Sequence, residues 1–110
     1  MDCLIIKKKW LDLILSGKKT LEIRGSRIHK RGKIGLIESG SGEIKGTCEL
    51  VDCIGPLSKN DFKKNQNKHQ SKLSNYKTTY AWVLTKPKRF SKPKKYKHPQ
   101  GAVMWVKLKE

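Results

Sequence analysis

Near the start of the chain, the spacing of apolar residues changes within a few positions from a continuous run to a helical repeat. Residues 3–7 (CLIIK) form a short apolar run that predicts a buried strand. Residues 8–16 then repeat apolar side chains at helical spacing, namely Trp10, Leu11, Ile14 and Leu15. Gly17 follows where a left-handed helix cap would stand. This opening predicts a strand, an amphipathic helix and a sharp stop.

The remaining apolar pattern predicts strands. Residues 20–24 alternate, with Leu21 and Ile23 on one face, so they predict a half-buried strand. Further strands are predicted at residues 33–39, 43–55, 80–86 and 102–108. Residues 86–99 contain three prolines and predict a basic loop that cannot continue a sheet. The polar residues 58–77 predict a short helix and a mobile segment. This segment is either a lid over the cleft or a tolerated insertion.

This order of elements predicts the fold class α+β. We expect a small mixed β-barrel of about five to six strands, with one main N-terminal helix and a short second helix. The length of 110 residues predicts a single domain over residues 1–110. No apolar run is long enough to span a membrane, and the first ten residues lack the order of a secretory signal. We therefore expect a cytoplasmic protein.

Charge adds a functional expectation to this fold. The chain has 26 Lys+Arg and 9 Asp+Glu, a formal net charge of +17. The excess is concentrated in the second half, because residues 56–110 hold 15 basic and 2 acidic residues. A field of this sign attracts polyanions and accelerates their encounter with the protein. The alternative is a lysine-rich surface that serves solubility alone.

The cysteines and histidines do not indicate a metal site. Cys3, Cys48 and Cys53 form no CxxC pair and no zinc-type cluster with histidine. Their odd number argues against a disulfide framework and favours a reducing compartment, with the cysteines as small apolar side chains. We expect no metal and no cofactor.

The polar face of residues 20–24 is the first candidate for chemistry. Glu22 and Arg24 share that face, and Lys19 stands at the entrance of the strand. A carboxylate beside cations stays ionised and accepts hydrogen bonds, while an arginine offers a flat fork to a phosphate or a base edge. A surface ion pair is the competing interpretation, and local chemistry alone favours it.

The spacing of Gly17, Lys19, Glu22 and Arg24 resembles G-x-K-x-x-E-x-R, the signature of the ASCH family in the PUA-like superfamily. The resemblance extends through residues 5–25, 42–53, 80–84 and 98–108 and leaves out residues 58–77. It implies a small β-barrel with a cleft lined by the signature strand and the start of the first helix. It also implies an RNA-binding module, and in some members an enzyme that acts on RNA or on modified nucleosides.

The enzymatic branches set an alternative for this chain. In the family that this chain resembles, one branch removes the acetyl group from acetylcytidine with a signature lysine, which corresponds to Lys19. Another branch cleaves RNA. The amidohydrolase branch has a threonine where this chain has Glu22, and relatives often carry a proline where Lys9 stands. Lys19 and Glu22 are therefore the catalytic candidates if the protein is an enzyme, as a ribonuclease or a nucleoside amidohydrolase.

Cations and aromatic residues extend the candidate site. Single-stranded RNA is commonly held by a cationic groove with aromatic faces for base stacking. We expect core packing for Trp82 and Trp105, and structural or solvent-exposed roles for His29, His69 and His98, of which His98 has the best claim to a place in the cleft. The predicted nucleic-acid-binding residues are Trp10, Lys19, Glu22, Arg24, Arg27, Lys30, Arg31, Lys86, Arg89, Lys92, Lys94, Lys95 and His98.

The sequence thus predicts an RNA-binding protein that holds single-stranded or modified RNA in a basic cleft beside the barrel. The alternative is an RNA- or nucleoside-processing enzyme on the same fold. DNA is the other nucleic acid to consider as a partner, since phosphate contacts do not distinguish the two. No membrane partner is expected.

Overall fold

A computed structural model describes residues 1–109 of the chain. The strands are β1 (Asp2–Ile6), β2 (Leu21–Arg24), β3 (Gly32–Glu38), β4 (Glu43–Ile54), β5 (Tyr80–Lys95) and β6 (Trp105–Lys107). The helices are α1 (Lys8–Leu15), α2 (Lys59–Lys64) and α3 (Gln66–His69). The predicted α+β class is confirmed, and a third short helix joins the two that were expected.

All six strands form one mixed sheet in the order β2-β5-β4-β3-β1-β6. The β1–β3 pair is parallel, and the other four neighbouring pairs are antiparallel. Strands β2 and β6 are the two edges and do not pair with each other. The sheet is therefore an open half-barrel.

The curl of this sheet is visible in contacts between strands that are far apart in sheet order. Trp82 on β5 and Trp105 on β6 stack with ring centroids 6.2 Å apart, although three strands separate them. Strands four places apart in a flat sheet would lie about 19 Å from each other. Arg24 on edge strand β2 likewise donates from Nη2 to the carbonyl oxygen of Ile5 on β1 at 3.4 Å. These contacts bring the two ends of the sheet toward each other.

The main hydrophobic core lies where α1 covers the sheet. Leu11 and Ile14 of α1 are buried against β-strand residues that include Leu36, Leu50 and Trp82. Trp82 is 1% exposed, which confirms its predicted core position, and its Nε1 donates to the carbonyl oxygen of Ser26 at 2.9 Å. Helix α1 therefore holds the residues that follow it at a defined place beside β2.

Strand β5 corrects the predicted boundary after residue 86. The prolines were expected to end the strand, but β5 continues to Lys95 and pairs with β4 as far as Glu43. The ladder shifts register on β4 between Ile44 and Gly46 and between Thr47 and Glu49. On β5 these irregularities span Pro93 and Pro87, so neither proline has to supply a ladder hydrogen bond. The basic loop is a β-ribbon.

The segment 58–77 contains two short helices, α2 and α3, where the sequence predicted one. Ser58 caps α2: its side chain accepts from the backbone N–H of Asp61, whose carboxylate accepts from the backbone N–H of Ser58. His69 at the end of α3 is fully buried. No helix among residues 1–109 has the length and apolar character needed to cross a membrane.

Gly46 permits the close approach of β5 and α1, and we expect Gly46→Ala to be strongly destabilising. A Cβ at this position would lie 2.3 Å from the carbonyl oxygen of Lys88 and 2.8 Å from Cδ2 of Leu15. Overpacking of this kind costs about 1–3 kcal/mol. Urea unfolding followed by circular dichroism measures the loss.

Gly40→Asn is the matched control, because a Cβ there meets nothing within 4 Å and asparagine tolerates its φ of +80°. We expect the control to stay within about 0.5 kcal/mol of wild type. Equal stability of the two variants would contradict the predicted clash.

Candidate nucleic-acid-binding site

Three charged side chains of the signature segment form a buried cluster. The Glu22 carboxylate stands between two cations: its Oε1 lies 3.5 Å from Lys19 Nζ, and its Oε2 lies 2.9 Å from Arg24 Nη2. Arg24 Nε also donates to Oε2 at 3.0 Å. The side chains of Lys19, Glu22 and Arg24 are 1%, 6% and 14% exposed. The surface ion pair considered from the sequence is therefore wrong, because these charges lie inside the protein.

Backbone geometry explains how Lys19 comes to be buried. Gly17 adopts φ +83° immediately after α1, and the backbone N–H of Lys19 donates to the carbonyl oxygen of Leu13 at 3.0 Å. The chain thus turns back over the helix end before β2 begins. The same turn directs the Lys19 side chain inward, with Nζ 4.7 Å from the centroid of the Trp10 ring.

The amino group of Lys19 also holds the segment 58–77 in place. Nζ donates to the carbonyl oxygen of His69, at the end of α3. The neighbouring carbonyl oxygen, of Lys68, accepts from the backbone N–H of Thr20 at 2.8 Å. Burial lowers the pKa of Lys19 from its ordinary value, while the charge of Glu22 opposes that effect. The cation is retained by two acceptors, Glu22 and the His69 carbonyl.

His69 is the second buried titratable group in this region. Its Nδ1 accepts from the backbone N–H of Ser71 at 2.9 Å, so its Nε2 carries the proton and donates to the carbonyl oxygen of Phe62 at 2.7 Å. The ring also stacks on Phe62, with centroids 4.1 Å apart. Burial lowers the pKa of His69, and the charge of Lys19 acts in the same direction. His69 is therefore a neutral structural residue, as the sequence favoured.

A cleft of about 420 Å³ opens beside this cluster and is called the signature cleft below. It is lined by Glu22 and Arg24 of β2 and by Lys7 and Trp10 at the start of α1. The segment 58–77 and Val103 also contribute to the lining; the residues from that segment are Ser71, Leu73, Ser74, Asn75 and Tyr76. A volume of this size is in the range of small-molecule sites.

The rim of the signature cleft is unusually apolar for an exposed surface. Leu73, Tyr76 and Val103 are 79%, 46% and 86% exposed. Tyr76 is held against Gly25, where a Cβ would lie 2.6 Å from Tyr76 Cδ1. The sequence analysis did not assign these rim residues to the site. The available signal was the isolation of Leu73 and Tyr76 as apolar positions in an otherwise polar segment.

The predicted site residues fall into three places. Trp10, Glu22 and Arg24 line the signature cleft, whereas Lys19 lies behind it. Three loop cations are engaged elsewhere. Arg27 donates to the carbonyl oxygen of Gly55 at 2.7 Å, Lys30 pairs with Asp2, and Arg31 lies 3.9 Å from Asp52.

The third group lies on the β5 ribbon and just beyond it, away from the signature cleft. Lys86 and Arg89 pair with Glu49 and Asp12, at 3.4 Å and 3.1 Å. The exposed lysines of the ribbon include Lys92, Lys94 and Lys95. His98 bonds through Nδ1 to the Tyr96 hydroxyl at 2.7 Å and through Nε2 to the carbonyl oxygen of Ala102 at 2.8 Å. His98 therefore does not face the signature cleft.

The other candidate chemistry is accounted for by packing. Burial raises the pKa of the Cys48 thiol to about 12, so it is not a nucleophile at neutral pH. Within residues 1–109, no group of three or more His, Cys, Asp or Glu side chains is arranged to hold a metal ion. The chemistry of the site is that of a guanidinium, a carboxylate and aromatic faces.

Half-barrel, helix and cleft together define a small PUA-like domain. The sequence profile of the ASCH domain matches residues 4–94, and the chain belongs to that family, which is linked to RNA binding. Its fold is similar to that of crystal structures of ASCH from Zymomonas mobilis. One has a TM-score of 0.72 at 14% identity and covers 99% of this chain and 87% of that one.

Two variants of the Zymomonas mobilis protein have the same fold. A tyrosine-to-phenylalanine variant has a TM-score of 0.65 at 15% identity, covering 99% of this chain and 90% of that one. A serine-to-alanine variant has a TM-score of 0.62 at 16% identity, covering 99% and 88%. No curated protein matches the chain significantly in sequence.

The buried cluster predicts strong coupling between Lys19 and Glu22. We expect Glu22→Gln to lower the free energy of unfolding by about 3 kcal/mol, because it leaves Lys19 buried without its carboxylate. Adding Lys19→Met should recover about 1–3 kcal/mol relative to the sum of the single changes. Urea unfolding of the four proteins measures the coupling, and strict additivity would contradict it.

The buried neutral His69 predicts an acid-sensitive fold. Its lowered pKa means that the unfolded chain takes up a proton first, as the pH falls through about 6.5. Stability is therefore complete above that value and declines toward pH 5, by at most about 1.4 kcal/mol per pH unit. Thermal unfolding between pH 7.5 and 5 should show a shallower decline in His69→Gln than in wild type. The control His29→Gln should retain the wild-type slope.

Proposed function

We propose that this protein binds RNA and holds a single-stranded or modified nucleotide in the signature cleft. The observation that carries the proposal is an arginine, held by Glu22, that lines an apolar-rimmed cleft in a protein with a net charge of +17. The link of the ASCH family to RNA binding supports the same conclusion.

Arg24 is suited to meet an anionic or carbonyl oxygen. Its Nε and Nη2 point to Glu22 and Ile5, while no acceptor among residues 1–109 is bonded to Nη1. The fork is thus oriented before any ligand arrives, which reduces the entropy lost on binding. Arg24 would donate from Nη1 to a phosphate or to a carbonyl oxygen on a base.

Glu22 contributes in two ways to this proposal. It fixes the plane of the Arg24 guanidinium through Oε2, and its Oε1 keeps acceptor capacity because Lys19 is 3.5 Å away. A base amino group or a ribose hydroxyl would donate to that oxygen. Trp10 and Tyr76, which both line the cleft, would supply faces for base stacking.

The geometry favours holding a nucleotide over cutting one. A catalytic lysine must reach its substrate, but the Lys19 side chain is 1% exposed and its amino group already contacts Glu22 and the His69 carbonyl. The lowered pKa of Lys19 follows from this burial. We assign Lys19 a positioning role beneath Trp10, and incubation with RNA and with acetylcytidine tests the enzymatic alternative. Turnover that is lost in Lys19→Ala while RNA binding is retained would overturn this assignment.

Fluorescence anisotropy with labelled single-stranded RNA tests the binding proposal. We expect affinity to fall steeply with salt, with a log–log slope near −4 if about six phosphates are contacted. Arg24→Ala should weaken binding at every salt concentration by about tenfold or more, because it removes a charge-assisted contact. Competition with DNA of the same sequence reports the contribution of the ribose hydroxyl.

Arg27→Ala is the matched control for the loss of one arginine, because Arg27 lies outside the cleft and bonds to the carbonyl oxygen of Gly55. It should change affinity by no more than the loss of one distant charge. Absence of binding to any RNA at low salt would overturn the proposal.

A further inference from the structure

A second pocket lies on the other side of the residues that wall the signature cleft. It has a volume of about 560 Å³ and is called the lysine pocket below. Leu73, Ser74 and Tyr76 line both cavities, so the same short stretch of chain forms the partition between them. A ligand that fills the signature cleft and extends past Tyr76 would enter the lysine pocket.

The charges around the lysine pocket are of one sign. Lys59, Lys63, Lys72 and Lys77 line it, and no carboxylate does. None of the four has an ion-pair partner among residues 1–109, in contrast to Lys8, Lys30, Lys45 and Lys86, which all pair with acids. The nearby carboxylate of Asp61 is engaged with the backbone N–H of Ser58. The local field is therefore not neutralised by the protein itself.

The interior of the lysine pocket is apolar and partly aromatic. Leu57, Phe62 and Tyr76 contribute to its lining, with Pro56 beside them. Phe62 is fixed by its stacking on His69, and Tyr76 by its contact with Gly25. Unpaired cations around fixed apolar and aromatic surfaces are what single-stranded nucleic acids require, since the phosphate needs charge and the base needs a flat face.

We propose that the lysine pocket is a second nucleotide subsite, which holds the residue adjacent to the one in the signature cleft on the same RNA strand. This inference rests on the proposed function of the cleft. The lysines would contact the phosphate between the two residues and the one beyond it, while Tyr76 would separate the two bases. The protein would then recognise at least two consecutive nucleotides, and the segment 58–77 would be a functional part of the binding surface.

The test compares two variants with equal net charge. Lys63→Gln/Lys72→Gln removes two cations from the lysine pocket, whereas Lys64→Gln/Lys33→Gln removes two that do not line it. Lys64 is a close control because it neighbours Lys63 on α2. Binding is measured by anisotropy with labelled eight-residue homopolymers of each RNA base, and by competition with the four nucleoside 5′-monophosphates.

Loss of two phosphate contacts from a single strand should make the salt slope shallower by about 1.4, which corresponds to about 25-fold weaker binding at 0.1 M salt. We expect this change for the Lys63/Lys72 variant and a much smaller one for the control. Nucleoside monophosphates should occupy only the signature cleft, so they should compete equally well in the Lys63/Lys72 variant and in the control. Tyr76→Ala should weaken binding of the octamer, whether it is introduced into the wild-type protein or into either of the two lysine variants.

Two results would overturn the inference, and they are distinguishable. If the Lys63/Lys72 variant binds octamers like its control while Arg24→Ala still weakens binding, the lysine pocket is not a subsite and the proposed function stands. If wild type binds none of the octamers at low salt, the proposed function fails and the subsite fails with it. Circular dichroism confirms that each variant is folded before its affinity is interpreted.

Discussion

The buried carboxylate of Glu22 connects the parts of the molecule that surround the signature cleft. It pairs with Lys19, which donates to the carbonyl oxygen of His69 in the segment 58–77. It also pairs with Arg24, which reaches across the half-barrel to the carbonyl oxygen of Ile5. One carboxylate thus organises contacts to α3, β2 and β1. Buried charge of this kind is favourable only when its partners are complete, so the geometry of the cleft and the stability of the fold depend on the same three side chains.

This arrangement separates two tasks that a charged cluster often combines. Lys19 lies within the protein and maintains its shape, while Glu22 and Arg24 also line the cleft. The cations of the β5 ribbon and the lysine pocket lie at the surface, where they attract a polyanion from a distance. Positioning in the interior and attraction at the surface are therefore carried by different residues.

The sequence predicted the elements whose signals are local. The α1 stripe, the stop at Gly17 and the alternation of β2 led to the right elements because helix and strand periods are read within a few residues. The burial of β2 on both faces was not predictable in this way, since it depends on α3 and on the curl of the sheet. The ribbon at 86–95 was missed because proline excludes a regular ladder but is accepted at a bulge, and bulges are set by the partner strand.

The candidate site was predictable only in part for the same reason. Glu22 and Arg24 share a strand face, so their proximity follows from the sequence, and the family signature added Lys19. The cleft wall formed by residues 71–76 is distant in sequence and is placed by the contacts of His69 and Lys19. The loop cations Arg27 and Lys30 looked available, but long-range partners engage them. Cationic residues that look equivalent in a basic sequence therefore differ in whether another residue of the protein already pairs with them.

The open edges of the sheet bear on whether copies of this protein can pair strand to strand. A half-barrel leaves two outer strands whose backbone groups could pair with a strand from another molecule. At one border, α3 lies beside β2, with the Lys68 carbonyl bonded to Thr20. At the other, β6 is three residues long and includes Lys107. A covered border and a short, positively charged one both discourage strand exchange between copies, and the high net charge adds repulsion at longer range.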